Sequence, residues 1–133
     1  MSAQDFRAGV ESLDLDAMTA ALADDVVLHS PVTFKPFQGK AAVRRLLGIL
    51  LETFSDFRYT DELRGDGSHI LVFRARVGDR DVEGIDLLRA GPDGLVQDFT
   101  VMVRPLSAAI ALAEAVGPKL AAAGPAGAAG TSA

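Results

Sequence analysis

The chain of 133 residues contains no cysteine. That excludes disulfides and thiolate metal sites, and it leaves redox chemistry silent about the compartment. Histidine is almost as scarce. His29 and His69 are the only two, and neither has a second ligand at His-x-x-x-His or His-x-Glu spacing, so no metal is expected. Basic residues are few and scattered: 13 Lys and Arg against 18 Asp and Glu leave a net charge of −5, and Arg44-Arg45 is the only adjacent pair. A nucleic-acid surface needs clustered cations, so none is expected, and the pair reads as the solvated face of a helix. No apolar run approaches the roughly 20 residues of a membrane-spanning helix, and no membrane association is expected. The opening residues Met1 to Arg7 lack the apolar core of a signal peptide, which makes a cytoplasmic protein the expectation. Phosphate-cradling glycine loops and a Gly-x-Ser-x-Gly elbow are also missing, so neither a nucleotide nor another cofactor is expected.

What is present suits one globular domain without repeats. Apolar residues make up 49% and charged residues 23% of the chain, ordinary values for a soluble domain with a real core. Phe6, Val10, Leu13, Met18 and Leu22 recur at helical spacing over residues 3–23. Leu13-Asp14-Leu15-Asp16 divides that region into two short helices, with Asp14 or Asp16 as N-cap of the second. Val26-Val27-Leu28 reads as a short strand, and Pro31, Pro36 and Gly39 punctuate the loop after it. The clearest helix covers residues 40–54, with Val43, Leu46, Leu47, Leu50, Leu51 and Phe54 as its apolar stripe. Four alternating strands follow at 57–63, 69–77, 81–89 and 95–104, separated by glycine-bearing turns. Pro105 suits the first turn of a closing helix whose buried side would be Leu106, Ile110, Ala113, Val116 and Leu120. The domain is thus expected over residues 1–120, with residues 121–133 a disordered Ala/Gly-rich tail. Helices first and then a strand meander imply an α+β fold, with helices packed in the concave face of a strongly curved, mostly antiparallel sheet that forms a cone-shaped pocket.

One carboxylate breaks the pattern. Asp86 shares its side of a strand with Val82, Gly84 and Leu88, and a charge among apolar neighbours costs free energy unless something uses it. Pairing through a four-residue turn at 91–94 would set Asp86 opposite Phe99, Leu88 opposite Gln97 and Gly84 opposite Val101. Phe99, Val101 and Val103 then join its face, and Leu71, Phe73 and Ala75 of the neighbouring strand fit the same inner side. Asp86 is either a pocket acid or base with a pKa raised by burial, or a carboxylate paired with an arginine or half-solvated at the cavity mouth. The opposite face mixes Ile85, Leu87 and Met102 with Glu83, Arg89, Asp98 and Arg104. It keeps enough apolar surface to expect a homodimer through the outer sheet face.

Other candidates carry weaker signals. His29 either polarises a ligand or acts with Asp86, or is an exposed strand-end histidine bonded to backbone, which is the commoner case. Ser30 before Pro31 reads as a turn residue rather than a nucleophile. Tyr59, the only tyrosine, either supplies a pocket hydroxyl or packs on Phe57. His69, beside a hairpin turn, is expected to be exposed.

The order Ala23-Asp24-Asp25-Val26-Val27-Leu28-His29-Ser30-Pro31-Val32, Gln38-Gly39-Lys40-Ala41-Ala42-Val43, Gly84-Ile85-Asp86, Asp93-Gly94-Leu95-Val96 and Arg104-Pro105 resembles the nuclear transport factor 2-like superfamily. That superfamily includes ketosteroid isomerases, limonene epoxide hydrolase-type enzymes and SnoaL-like polyketide cyclases. The resemblance implies a cystatin-like α+β roll, three or four helices in a six-stranded curved sheet, usually dimeric. Ketosteroid isomerases use an aspartate base with a tyrosine and a protonated aspartate as oxyanion donors. At the corresponding places this chain has Ser30 before Pro31, Phe6 on the first helix, and Asp86 ten residues before Val96. One of the three groups remains. Serine without a partner is no base, and phenylalanine donates no hydrogen bond, so steroid isomerase chemistry of that pattern is not implied. The epoxide hydrolase pattern, an Arg between two Asp, is also missing, since Gly84 stands where the inward Arg would be.

The expected function is therefore binding of a small apolar molecule with a carbonyl or hydroxyl, lined by Phe6, Ser30, Tyr59, Phe73, Leu88, Phe99 and Val101. Its catalytic form is isomerase- or cyclase-type proton transfer beside a carbonyl with Asp86 as acid or base, with His29 a weaker participant. The alternative is a non-catalytic homodimeric or protein-interaction module.

Overall fold

The computed structural model describes residues 2–123. Helices α1 (Ser2–Glu11) and α2 (Leu15–Ala20) meet at Leu13, whose φ of 55° turns the chain back. The Asp14 side chain caps α2 by accepting the Ala17 N–H at 3.1 Å. Gly9 lets the two helices touch: a Cβ there would stand 2.9 Å from both Met18 Cγ and Met18 N. The helical region ends earlier than the apolar spacing suggests. The Val96 N–H donates to the Ala21 carbonyl at 3.0 Å, and the chain enters strand β1 (Leu22–His29) from there. Sheet pairing wins because Leu22 and Val26 are fully buried in it.

Strand β2 (Phe37–Gln38) and helix α3 (Lys40–Thr53) follow the loop. Then come β3 (Ser55–Gly65), β4 (Ser68–Val77), β5 (Arg80–Ala90) and β6 (Val96–Arg104), and α4 (Leu106–Ala123) closes the chain. The six strands form one unclosed sheet in the order β2-β1-β6-β5-β4-β3, antiparallel except for the β1/β6 pair. This is the expected α+β roll. The residues that α3 buries, Val43, Leu46 and Leu47 among them, pack with Phe6, Leu28, Phe73 and Phe99 in one continuous core.

Two expectations about elements need correction. Helix α4 continues through Ala123, into the stretch assigned to a tail; residues 124–133 lie outside the described residues. Its buried side is Ala108, Leu112, Val116 and Leu120, while Leu106 and Ile110 are exposed and Ala113 is half-buried. The helix is apolar on nearly every side, so spacing alone does not choose its inward face. Small Ala108, with no exposed surface, lets the helix approach closely.

The β5/β6 register also differs. Asp86 stands opposite Val101, Leu88 opposite Phe99 and Gly84 opposite Val103. The Gly91 N–H donates to Leu95 O at 2.9 Å, which lengthens the connection by one residue, and a bulge at Arg89/Ala90 adds another. A shift of two residues preserves every face, so Asp86 still points to the concave side. On the convex side Ile70, Val72, Ile85 and Leu87 are half-buried, while Leu63 and Met102 are exposed. Among the described residues no helix is long and apolar enough to cross a membrane.

Candidate active site in the concave face

The inner side of β5 is Val82, Gly84, Asp86 and Leu88, all buried. Gly84 makes room. A Cβ there would lie 2.4 Å from Phe73 Cζ, so the Phe73 ring crosses directly over the glycine. Beside this floor lies a cavity of about 390 Å³, within the range of roughly 300–1,000 Å³ that small-molecule sites occupy. Five of the seven phenylalanines line it, namely Phe6, Phe54, Phe57, Phe73 and Phe99. Phe57 stacks on Phe73 at 4.9 Å, and Phe6 meets Phe99 edge to face at 5.0 Å. Leu47, Leu50 and Leu51 of α3 form the opposite wall. Leu50, Leu51 and Phe54 stay half-buried in an otherwise buried stripe because they face this space.

One polar pair stands inside. The Tyr59 hydroxyl donates to Asp86 Oδ2 at 3.0 Å. Tyr59 reaches the cavity because of a bulge. The β3/β4 hairpin pairs Gly65 with Ser68 and Asp61 with Val72, but Tyr59 with Phe73. Without the extra residue at Thr60, Tyr59 would oppose Arg74 and face outward. The second oxygen, Asp86 Oδ1, makes no hydrogen bond among the described residues, and Asp86 is one of the residues that line the cavity. No cation stands against the carboxylate among the described residues.

The electrostatics follow. Burial pushes the Asp86 carboxyl up to about 7, and the Tyr59 hydrogen bond recovers only part of that rise. Burial, and then the charge of Asp86, push the Tyr59 phenol well above its ordinary value, so it keeps its proton. The Arg7 guanidinium lies 5.4 Å from the Tyr59 ring centroid and is held there by Glu62 at 2.9 Å and Glu11 at 3.3 Å. Glu11 and Asp56, both exposed, form the polar rim of the mouth.

Phe6, Tyr59, Phe73, Phe99 and Val101 therefore surround Asp86. Leu88, expected to line the site, is buried on the same face but is not among the residues lining the cavity. Ser30 lies elsewhere, on a second, smaller cavity, with its Oγ accepting the Val32 N–H at 3.1 Å as a turn residue. His29 does not join Asp86. Leu28 faces Phe99 inside the sheet, which turns His29 to the convex side, where its Nε2 lies 3.4 Å from Asp98. His69 is buried rather than exposed. It shares the inward parity of Leu71 and Phe73, and its Nε2 has no hydrogen-bond partner. Sequence reasoning missed the Tyr59–Asp86 bond and the acidic rim. The sequence carries no signal for the bond, because Phe57, Tyr59 and Leu63 keep one parity and the bulge between Tyr59 and Asp61 shows only in the pairing.

Helices packed on a curved, unclosed six-stranded sheet define the cystatin-like α+β roll, and here an acid stands on its concave face. The chain matches the SnoaL-like domain family over residues 3–104 and belongs to it. A steroid delta-isomerase from Pseudomonas aeruginosa is 39% identical, with a TM-score of 0.87, covering 92% of this chain and 90% of its own. An uncharacterized cystatin-like-fold protein from Silicibacter pomeroyi is 31% identical, with a TM-score of 0.86, covering 90% of this chain and 85% of its own. An NTF2-like protein from Mesorhizobium loti, 17% identical with a TM-score of 0.70 and covering 78% of this chain and 88% of its own, shares the fold alone. No curated protein matches the chain.

The raised carboxyl has a consequence for stability. The folded state holds the Asp86 proton more tightly than the unfolded chain, so its contribution is full below about pH 4 and is lost as pH rises through about 7. The penalty above that point is on the order of 4 kcal/mol. Asp86→Asn keeps an acceptor for Tyr59 and removes the charge. Urea unfolding should show the variant more stable than wild type at pH 8 by roughly 2–4 kcal/mol, with the gain vanishing near pH 4. A variant less stable at pH 8 would mean that the ionised carboxylate supports the fold.

Proposed function

We propose that this protein binds a neutral, mostly apolar molecule carrying a carbonyl and moves a proton beside that carbonyl, an isomerase-type reaction. The observation that carries the reading is the buried Tyr59–Asp86 pair, set among aromatic rings with no cation against it among the described residues. Its surroundings exclude charged ligands by desolvation and place a carboxyl near half-ionisation at neutral pH, where general acid–base catalysis is most effective.

The steps balance within these two groups. Ionised Asp86 takes the proton from the carbon next to the carbonyl. The C–H electron pair becomes a carbon–carbon double bond, and the carbonyl pair moves onto oxygen. Protonated Asp86 then demands less of Tyr59, whose hydroxyl is free to donate to the developing oxyanion. Asp86 returns the same proton to the far carbon of the conjugated system, and the carbonyl re-forms. Two adjacent groups thus cover roles that ketosteroid isomerases spread over three. The similar Pseudomonas aeruginosa protein is a steroid delta-isomerase, which makes a β,γ-unsaturated ketosteroid the first substrate to assay.

The convex face supports a second feature of the same protein. We propose that two copies pair through it, because Leu63 and Met102 are each 54% exposed there. Light scattering should give twice the single-chain mass, and Met102→Glu should return the single-chain mass; a single-chain mass for wild type removes the proposal.

For the chemistry, kcat for conjugation of the β,γ-unsaturated ketone should rise with pH and level off above about 7, as Asp86 ionises. Tyr59→Phe removes the hydrogen bond that lowers the carboxyl, so its midpoint should move to higher pH and its plateau should fall by about 10²-fold. Asp86→Asn should leave no turnover. Equal turnover in Asp86→Asn, or a rate flat from pH 5 to pH 9, would remove the catalytic reading and favour a non-catalytic binding module.

A further inference from the structure

The second cavity, about 130 Å³, lies on the far side of Leu50, Phe54 and Val101, the three residues that also wall the first. Its remaining walls come from β1, the loop after it, Phe37 of β2, Leu46 of α3 and the inward side of α4, where Leu112, Ala113 and Val116 stand. Ser30 and Thr33 are the only polar side chains among its lining residues. Both hydroxyl oxygens accept backbone N–H groups of their own loop, Ser30 from Val32 and Thr33, and Thr33 from Lys35. The chamber is therefore apolar in effect, and an unfilled apolar space forfeits packing.

Of the three side chains that line both chambers, Phe54 is the bulkiest. Phe54 is the C-cap of α3, where the backbone leaves the helix for an extended conformation. Its ring leans on Phe57 and Phe73, each 5.7 Å away, and it remains half-buried for so large a side chain.

We infer that the two chambers form one site for an elongated ligand, with a carbonyl head at Asp86 and an unbranched apolar tail that passes Phe54 into the space under α4. Phe54 sets how readily long tails enter. This rests on the head-group reading proposed above and adds the ligand's shape to it. The tail must be neutral and narrow, since the far chamber offers no charge to pair with and about a third of the first chamber's volume.

The test uses the straight-chain phenyl ketones from acetophenone to decanophenone, with binding to the full chain measured by calorimetry. Wild-type affinity should climb about three- to fourfold per added methylene and keep climbing after the first chamber is full. Ala113→Leu fills the second chamber from α4 without touching Asp86. It should leave acetophenone binding unchanged and level off at a shorter chain length. Val116→Phe blocks the same space from the next turn and serves if Ala113→Leu does not fold. Phe54→Ala should favour the long ketones over the short ones relative to wild type. Wild type and the blocked variants levelling off at the same chain length would overturn the inference. Acetophenone affinity unaltered by Asp86→Asn, with the tail effect intact, would instead overturn the head-group reading and keep the tail chamber. No binding at any length would overturn both.

Discussion

The hydrogen bond from Tyr59 to Asp86 is the interaction on which the rest of the site depends. A carboxylate among five phenylalanine rings is expensive, and among the described residues no arginine offsets it. One phenolic donor and a proton available near neutrality make the arrangement tolerable. Each has structural prerequisites. Tyr59 needs the bulge at Thr60 to face inward. Phe73 needs the bare backbone of Gly84 to lie flat across the floor. Arg7 caps the tyrosine ring from α1 and is itself held by Glu62 of β3, so the first helix and the edge strand are clamped at the same point.

Much of this was legible in the chain because alternation is a strong signal. Val82, Gly84, Asp86 and Leu88 sit on one side of β5 whatever the pairing, and a register shift of two residues leaves Asp86 facing the core. The helix breaks at Leu13 and the cap at Asp14 were also readable, since one follows from a loss of apolar spacing and the other from a side-chain oxygen able to accept an N–H. The inward face of α4 was not, because Leu106 and Ile110 repeat with the same period as Ala108 and Leu112. Tyr59 depends on a bulge, which adds a residue without a sequence mark of its own. His29 stayed open between a pocket role and an exposed strand end for a different reason, and the structure puts it on the convex face. It lies on the one parallel strand pair, and its facing follows from a long-range partner, β6, rather than from a hairpin.

The site departs from the three-group arrangement of ketosteroid isomerases in an instructive way. The position before Pro31 carries Ser30, which belongs to the smaller chamber and serves its own loop. The first-helix position carries Phe6, which packs on Phe99. Acid–base capacity is concentrated in adjacent Asp86 and Tyr59, and the space released elsewhere is apolar. A site built so discriminates by shape and by desolvation, with one polar contact to orient the ligand. Under the proposal that the two chambers take one ligand, chamber length, and not an array of hydrogen bonds, is the main source of selectivity.

The central claim is that Asp86 is buried, unpaired by any cation among the described residues and half-protonated near neutrality. The most direct measurement is the pH titration of its side-chain carboxyl carbon by NMR in ¹³C-labelled protein, assigned with Asp86→Asn. The account requires a midpoint near 7, moving upward in Tyr59→Phe. A midpoint near 4, the value of a solvated aspartate, would contradict it.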